Sequence, residues 1–126
     1  MNIILSNNSD VPIYQQIVDQ IREAVIKGEL MQGTLMPSIR NLAKDLKISV
    51  ITTKRAYDEL EHEGLLVTMA GKGTFVAPSN IEMLREARLK EIEQHLEKAT
   101  VLAKSIGLEK SSLEEMLKVI FEEVDV

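Results

Sequence analysis

The sequence predicts a mainly helical α+β fold: three helices, one small antiparallel hairpin, then a long helical tail. Three observations predict it. Apolar residues recur at helical spacing in five separate stretches. One glycine-rich turn, Ala70-Gly71-Lys72-Gly73, lies between two short β-prone runs. A narrow apolar stripe with alternating three- and four-residue steps runs from Leu89 to Ile106. A chain of 126 residues suits one compact domain plus an arm.

The elements follow in order. Asp10 precedes Val11 and Pro12, which predicts an acidic N-cap with proline in the first turn. Ile13, Tyr14, Ile17, Val18, Ile21, Ala24 and Val25 then form a helical stripe, and Gly28 ends it. Gly33 marks a turn, residues 34–36 read as a short extended piece, and Pro37 keeps Met36 out of the helical region. Ser38 caps a short helix over 39–46, with Ile39, Leu42, Ala43 and Leu46 inward. Lys47 and Ile48 make a tight turn. Ser49 caps the next helix, over 50–63, whose inward face is Thr53, Ala56, Tyr57 and Leu60, and Gly64 stops it. Strands are expected at 65–69 and 74–77 around the glycine-rich turn. Pro78-Ser79-Asn80 is the expected boundary between a domain of residues 1–78 and an arm of residues 79–126. The arm reads as a helix over 81–106, a stop at Gly107, and a last helix opened by a Ser111-x-x-Glu114 capping box. Leu113, Met116, Leu117, Ile120, Phe121 and Val124 form the apolar face of that last helix.

Composition removes several kinds of function. There is no cysteine, so disulfides, thiol catalysis and thiolate metal sites are absent. No apolar run is long enough to span a bilayer, and residues 1–9 lack a signal-peptide pattern; neither observation by itself places the protein, though the lack of cysteine suits a cytoplasm. Tyr14, Tyr57, Phe75 and Phe121 are the whole aromatic complement, too few for stacking platforms on single-stranded nucleic acid. His62 and His95 sit on polar helical faces without a metal-ligand pattern, and no metal or cofactor is expected. No nucleophile–base set or cofactor loop can be assembled, which argues against an enzyme.

Charge is unevenly spread. The net charge is −5, with −1 over residues 1–78 and −4 over residues 79–126. Residues 38–57 nevertheless carry Arg40, Lys44, Lys47, Lys54 and Arg55 against Asp45 alone, a local +4, followed by Asp58, Glu59, Glu61 and Glu63. A helix with a cationic beginning and an anionic end would approach a polyanion tip first. Two capped helices joined by a tight turn, followed by a hairpin, describe a helix-turn-helix with a β-wing. In that arrangement the second helix enters the major groove of duplex DNA and its first residues meet the base edges. Here those residues are Ser49, Val50, Ile51, Thr52, Thr53 and Lys54. Hydroxyls can donate or accept, Val and Ile can touch a thymine methyl, and Lys can reach guanine or phosphate. Ser38 and Arg40, at the start of the preceding helix, suit phosphate. In the wing, Gly71 and Gly73 permit close backbone approach, and Lys72 and Thr74 supply charge and a hydroxyl.

On these residues the chain resembles the winged helix-turn-helix of GntR-family bacterial transcription regulators. The resemblance runs continuously from Pro12 to Val76. Its pieces are Pro12-Ile13-Tyr14-x-Gln16-Ile17, Gly28-Glu29-Leu30, Pro37-Ser38-x-Arg40-x-Leu42-Ala43, Arg55-Ala56-Tyr57-x-x-Leu60-x-x-x-Gly64 and Gly71-x-Gly73-Thr74-Phe75-Val76. It implies DNA contacts at Ser38, Arg40, Ser49, Val50, Thr52, Lys54, Gly71, Lys72 and Gly73. Two positions depart from the family pattern. Val50 stands where many members place a base-reading Arg, so a guanine contact is expected to be missing. Lys47 stands where Gly is common, which suggests a turn without a positive φ there.

Beyond the wing, most such regulators carry a ligand-binding domain of more than about a hundred residues. Only 48 residues follow here, too few to enclose a drug-sized cavity. The chain is similar in this to the YtrA-type subfamily, whose short two-helix tail implies dimerisation. Independently, the stripe of Leu89, Ile92, Leu96, Ala99, Ala103 and Ile106 needs a partner surface. The expected packing is both on the chain's own last helix, through Leu113, Leu117, Ile120 and Phe121, and on a second subunit. A two-fold homodimer would present two recognition helices to a palindromic operator. The expected function is therefore an operator-binding transcriptional regulator, with repression the favoured sign and the effector unidentified. The alternative is a protein-interaction module that uses the arm without DNA binding.

Overall fold

The computed structural model describes residues 1–78 and 81–125, in the order α1 (Ile13–Ile26), α2 (Ile39–Leu46), α3 (Val50–His62), β1 (Leu66–Met69), β2 (Gly73–Val76), α4 (Ile81–Ser105) and α5 (Lys110–Glu123). The chain divides into two compact units, Met1–Arg85 and Glu86–Val126. The division falls inside α4. The boundary expected at Pro78-Ser79-Asn80 lies partly on Ser79 and Asn80, outside the described residues.

In the first unit α1 and α2 both pack on α3, and β1 follows directly on it. The predicted stripes supply the core: Ile17, Val18, Ile21 and Val25 from α1, Leu42 from α2, Ala56, Tyr57 and Leu60 from α3, and Leu65, Leu66 and Val76 from the hairpin. Ile81 and Leu84 of the first turn of α4 pack against this cluster. Each fully buried aliphatic side chain contributes about 1.5–3 kcal/mol relative to exposure. β1 and β2 pair antiparallel from Leu66 opposite Val76 to Met69 opposite Gly73. The extended piece 34–36 joins as a third edge. Met36 N–H donates to Thr74 O at 2.8 Å, and Val76 N–H donates to Thr34 O at 2.9 Å. Gly73 has φ +114°, and an added Cβ there would lie 3.0 Å from Leu35 Cδ1. The turn therefore demands glycine for its backbone and favours it for space.

Three local expectations are corrected. Asp10 does not cap α1. The helix starts two residues later, with Pro12 at the N-cap and no side-chain cap, and Gln16 Nε2 donates to Val11 O at 2.9 Å. The Ser111–Glu114 capping box does not form, because α5 begins at Lys110 and its N-cap is Glu109. Lys47 does adopt a positive φ, +57°, in the left-handed region. Its N–H donates to Lys44 O at 3.2 Å, and the Ile48 N–H donates to Ala43 O at 3.0 Å. This turn needs the left-handed conformation whatever residue occupies it, because it satisfies the last carbonyls of α2.

Residues 1–9, which carried no predicted element, are tied to α1 by two glutamines. The Gln20 amide donates to Ile4 O at 2.7 Å and accepts from Ile4 N–H at 2.8 Å. Gln16 does the same for Ser6, at 3.0 and 2.8 Å. Ile3 and Leu5 pack on the core.

Tyr57 links α3 to the chain entering α2, its hydroxyl donating to Pro37 O at 2.7 Å. Burial pushes its phenol from 10.0 up to about 12. The fold therefore favours the neutral form. That stabilisation is complete below about pH 10 and is lost as pH rises toward 12. Tyr57→Phe leaves the Pro37 carbonyl without its donor and should cost about 1 kcal/mol at pH 7. It should also flatten the alkaline loss of stability between pH 10 and 12. Urea denaturation across pH 7 to 12 measures both effects.

Candidate nucleic-acid interface

The interface is built from two helix starts and a turn. The Ser38 Oγ accepts from Asn41 N–H at 3.1 Å and so fixes where α2 begins. Arg40, the second residue of that helix, is exposed and has no ion-pair partner among the described residues. The left-handed Lys47 then turns the chain into α3. Ser49 Oγ accepts from Thr52 N–H at 3.1 Å and donates to Thr52 Oγ1 at 2.8 Å. Because Thr53, Ala56, Tyr57 and Leu60 are buried, the opposite side of α3 faces solvent, with Ile51, Lys54, Arg55, Asp58 and His62 on it.

The cation on this face is held in place. Lys54 Nζ pairs with Asp58 Oδ2 at 2.8 Å. The Asp58 hydrogen bond and charge raise the Lys54 ammonium above its ordinary value. Both groups are well exposed, so the pair is weak and a phosphate can replace the carboxylate.

The wing presents Ala70, Gly71 and Lys72 at an exposed tip, closed by Lys72 N–H donating to Met69 O at 2.9 Å. Thr74 is partly buried and its Oγ1 shares a hydrogen bond with Thr68 Oγ1 at 2.9 Å. Thr68 also donates to the Glu61 carboxylate. Thr74 is thus engaged within the sheet, while Lys72 stands free among the described residues.

One predicted contact is withdrawn. Thr53 is 0% exposed, and its Oγ1 donates to Ser49 O at 3.1 Å. It belongs to the core side of the helix, as its place in the inward stripe already indicated. One group was missed. The Arg55 guanidinium lies 3.8 Å from the centre of the Tyr14 ring, a cation–π stack that braces α3 against α1 and restrains an exposed positive charge. Arg55 and Tyr14 are 41 positions apart, and only the packing of α1 on α3 brings them together.

The second unit carries the other set of expected contacts. Leu89, Ile92 and Leu96 are exposed along α4, and Leu117, Ile120 and Phe121 along α5. Ala99 and Leu113 are partly covered, and Ile106 is exposed. No described residue of α5 is buried, so α5 does not lay its apolar face on its own α4. The expected packing within one chain is corrected accordingly. The helices meet at a corner instead. Leu108 N–H donates to Ala103 O at 2.8 Å, and Ala103 is covered there, which removes it from the exposed stripe. Among the described residues no cluster of His, Asp or Glu is placed to hold a metal, and no helix is long and apolar enough to cross a membrane.

A capped helix, a tight turn, a second helix with an exposed cationic start and an adjoining two-stranded wing define a winged helix-turn-helix. The family described as "Bacterial regulatory proteins, gntR family" matches residues 13–76. The HTH-type transcriptional repressor YtrA of Bacillus subtilis is 34% identical over 97% of this chain and 94% of its own length. A crystal structure of a transcriptional regulator from Oenococcus oeni superposes with a TM-score of 0.66 at 26% identity, covering 93% of this chain and 97% of that one. The DNA-binding domain of AraR in complex with an operator superposes with a TM-score of 0.52 at 27% identity, covering 61% of this chain and 94% of that one. This chain belongs to the GntR family: it is a DNA-binding transcriptional regulator and not an enzyme.

Because the Asp58 carboxylate neutralises Lys54 and itself repels a polyanion, Asp58→Asn should tighten binding to any duplex. The expected gain is about two- to fivefold at moderate salt, the scale of an exposed ion pair. Fluorescence anisotropy on a labelled duplex measures it.

Proposed function

We propose that the protein is a homodimeric repressor that binds a palindromic operator in the cytoplasm. Residues 1–78 serve as the DNA-binding domain and residues 79–126 as the dimerisation arm. The observation that carries this reading is the solvent-facing side of α3. It opens at a serine-capped first turn, with the exposed cations Arg40 on α2 and Lys54 on α3, while its other side is locked into the core. Support for repression and for operator binding comes from the similarity to a repressor and to an operator-bound domain.

In this reading Ser38, Arg40, Gly71, Lys72 and Gly73 lie along the phosphates and set register, with Thr74 supporting the wing from within the sheet. Ser49, Val50, Thr52 and Lys54 face the base edges. Val50 leaves this protein without the guanine contact that an arginine would make. Affinity comes chiefly from neutralising phosphates, so an overall acidic chain can bind DNA through a locally basic surface.

The arm supports the dimer. Ile92 is 54% exposed and Phe121 80%, and Leu89, Leu96, Leu117 and Ile120 are exposed with them, the kind of apolar surface that marks an association site. A second copy supplies the cover, with the faces of α4 and α5 packing across the two-fold axis. Symmetry then places two identical reading helices on one operator.

Two measurements test the reading. Arg40→Ala should weaken binding to specific and random duplex alike and reduce the slope of log K against log salt by about 1. An unchanged slope would remove Arg40 from the phosphate contacts. Ile92→Glu should convert a dimer of the 14.2 kDa chain into a monomer in sedimentation equilibrium and weaken operator binding with it. A wild-type chain that sediments as a monomer at micromolar concentration would defeat the dimer.

A further inference from the structure

The exposed tip of α3 is chemically lopsided. Its hydroxyls are largely spent on the helix itself. Ser49 Oγ accepts from Thr52 N–H and gives its own proton to Thr52 Oγ1. Thr53 is buried and donates to Ser49 O. Lys54, one turn on, is paired with Asp58. What projects freely is hydrocarbon: Val50 is 50% exposed and Ile51 80%.

Two adjacent β-branched side chains at this place are well suited to reading. Their χ1 rotation is already restricted in a helix, so little freedom is lost on contact. They stand where the first turn of a recognition helix meets base edges. Cations on the same two helices, Arg40 and Arg55 among them, hold the tip against a polyanion. The major groove offers one apolar group, the C5-methyl of thymine; every other edge position there is a hydrogen-bond donor or acceptor or an aromatic C–H. Setting Ile51 against a donor or acceptor would strip that group of water and return nothing.

We infer that Ile51, with Val50 beside it, is a specificity-determining residue that reads thymine methyl groups, so that each operator half-site carries thymine beneath the tip of α3. This rests on the DNA-binding reading above and adds to it the chemistry of the base contact. It also moves discrimination away from the hydroxyl of Thr52, which the family resemblance places among the DNA contacts without Ile51.

The test uses the full chain and duplexes selected by it from a random-sequence library. Each thymine of the selected site is replaced in turn by uracil, which removes the methyl and leaves base pairing and every hydrogen-bonding edge unchanged. One or two positions per half-site should show a loss of about fourfold per methyl. With Ile51→Ala, the loss at one of those positions should fall to less than about twofold. Ile51 is exposed, so the variant should fold, and its circular dichroism and urea midpoint should match those of the parent. If the selected duplex binds well above random DNA yet no uracil substitution changes affinity, the methyl contact is overturned while DNA recognition stands. An equal loss in parent and Ile51→Ala at every sensitive position also overturns it, since another residue would then be the reader. If no duplex is enriched and none binds, the DNA-binding reading fails and the inference with it.

Discussion

The structure depends on one constraint: α3 is anchored along a single edge. Thr53, Ala56, Tyr57 and Leu60 are buried between α1, α2 and the hairpin, and the Tyr57 hydroxyl is tied to Pro37 O. A helix held on one side has no choice about the other. The same four positions that contribute core energy also determine which residues of α3 reach solvent and at what angle. The exposed face of α3 is therefore held by the core behind it.

Around that edge the protein manages opposing charges. The chain is acidic as a whole, yet the surface from α2 to the start of α3 is basic. Asp58 holds Lys54 in the free protein, and Tyr14 holds Arg55. These restraints differ in kind. The carboxylate neutralises the charge of the lysine, whereas the tyrosine ring leaves the charge of the arginine intact and merely directs it.

The arm obeys a different logic. The apolar faces of α4 and α5 remain uncovered within one chain. Hydrocarbon arranged at heptad spacing and left open is costly in water. The winged unit is complete by itself, with a closed core. The arm by itself leaves its apolar faces open.

The order of elements, the serine caps of α2 and α3, the inward stripe of α3 and the family were all legible in the sequence. They depend on spacing, on short-range hydrogen bonds and on turn chemistry, all of which act over a few residues. The sequence also determined which positions on α3 are polar or apolar. Tertiary structure decided what those side chains are free to do. Asp10 and the Ser111–Glu114 pair had suitable chemistry for caps, but the chain around them starts its helices elsewhere. Lys47 takes the left-handed region because the turn that closes α2 satisfies the Ala43 and Lys44 carbonyls only in that conformation. Arg55 found Tyr14, and Gln16 and Gln20 found the backbone of residues 4–6, only because distant segments met. Likewise α5 did not fold back onto α4, since periodicity reports that a face is apolar and is silent about which surface covers it. The physical reason is common to all of these: a pattern encodes the preference of one segment, and a contact is a compromise between two.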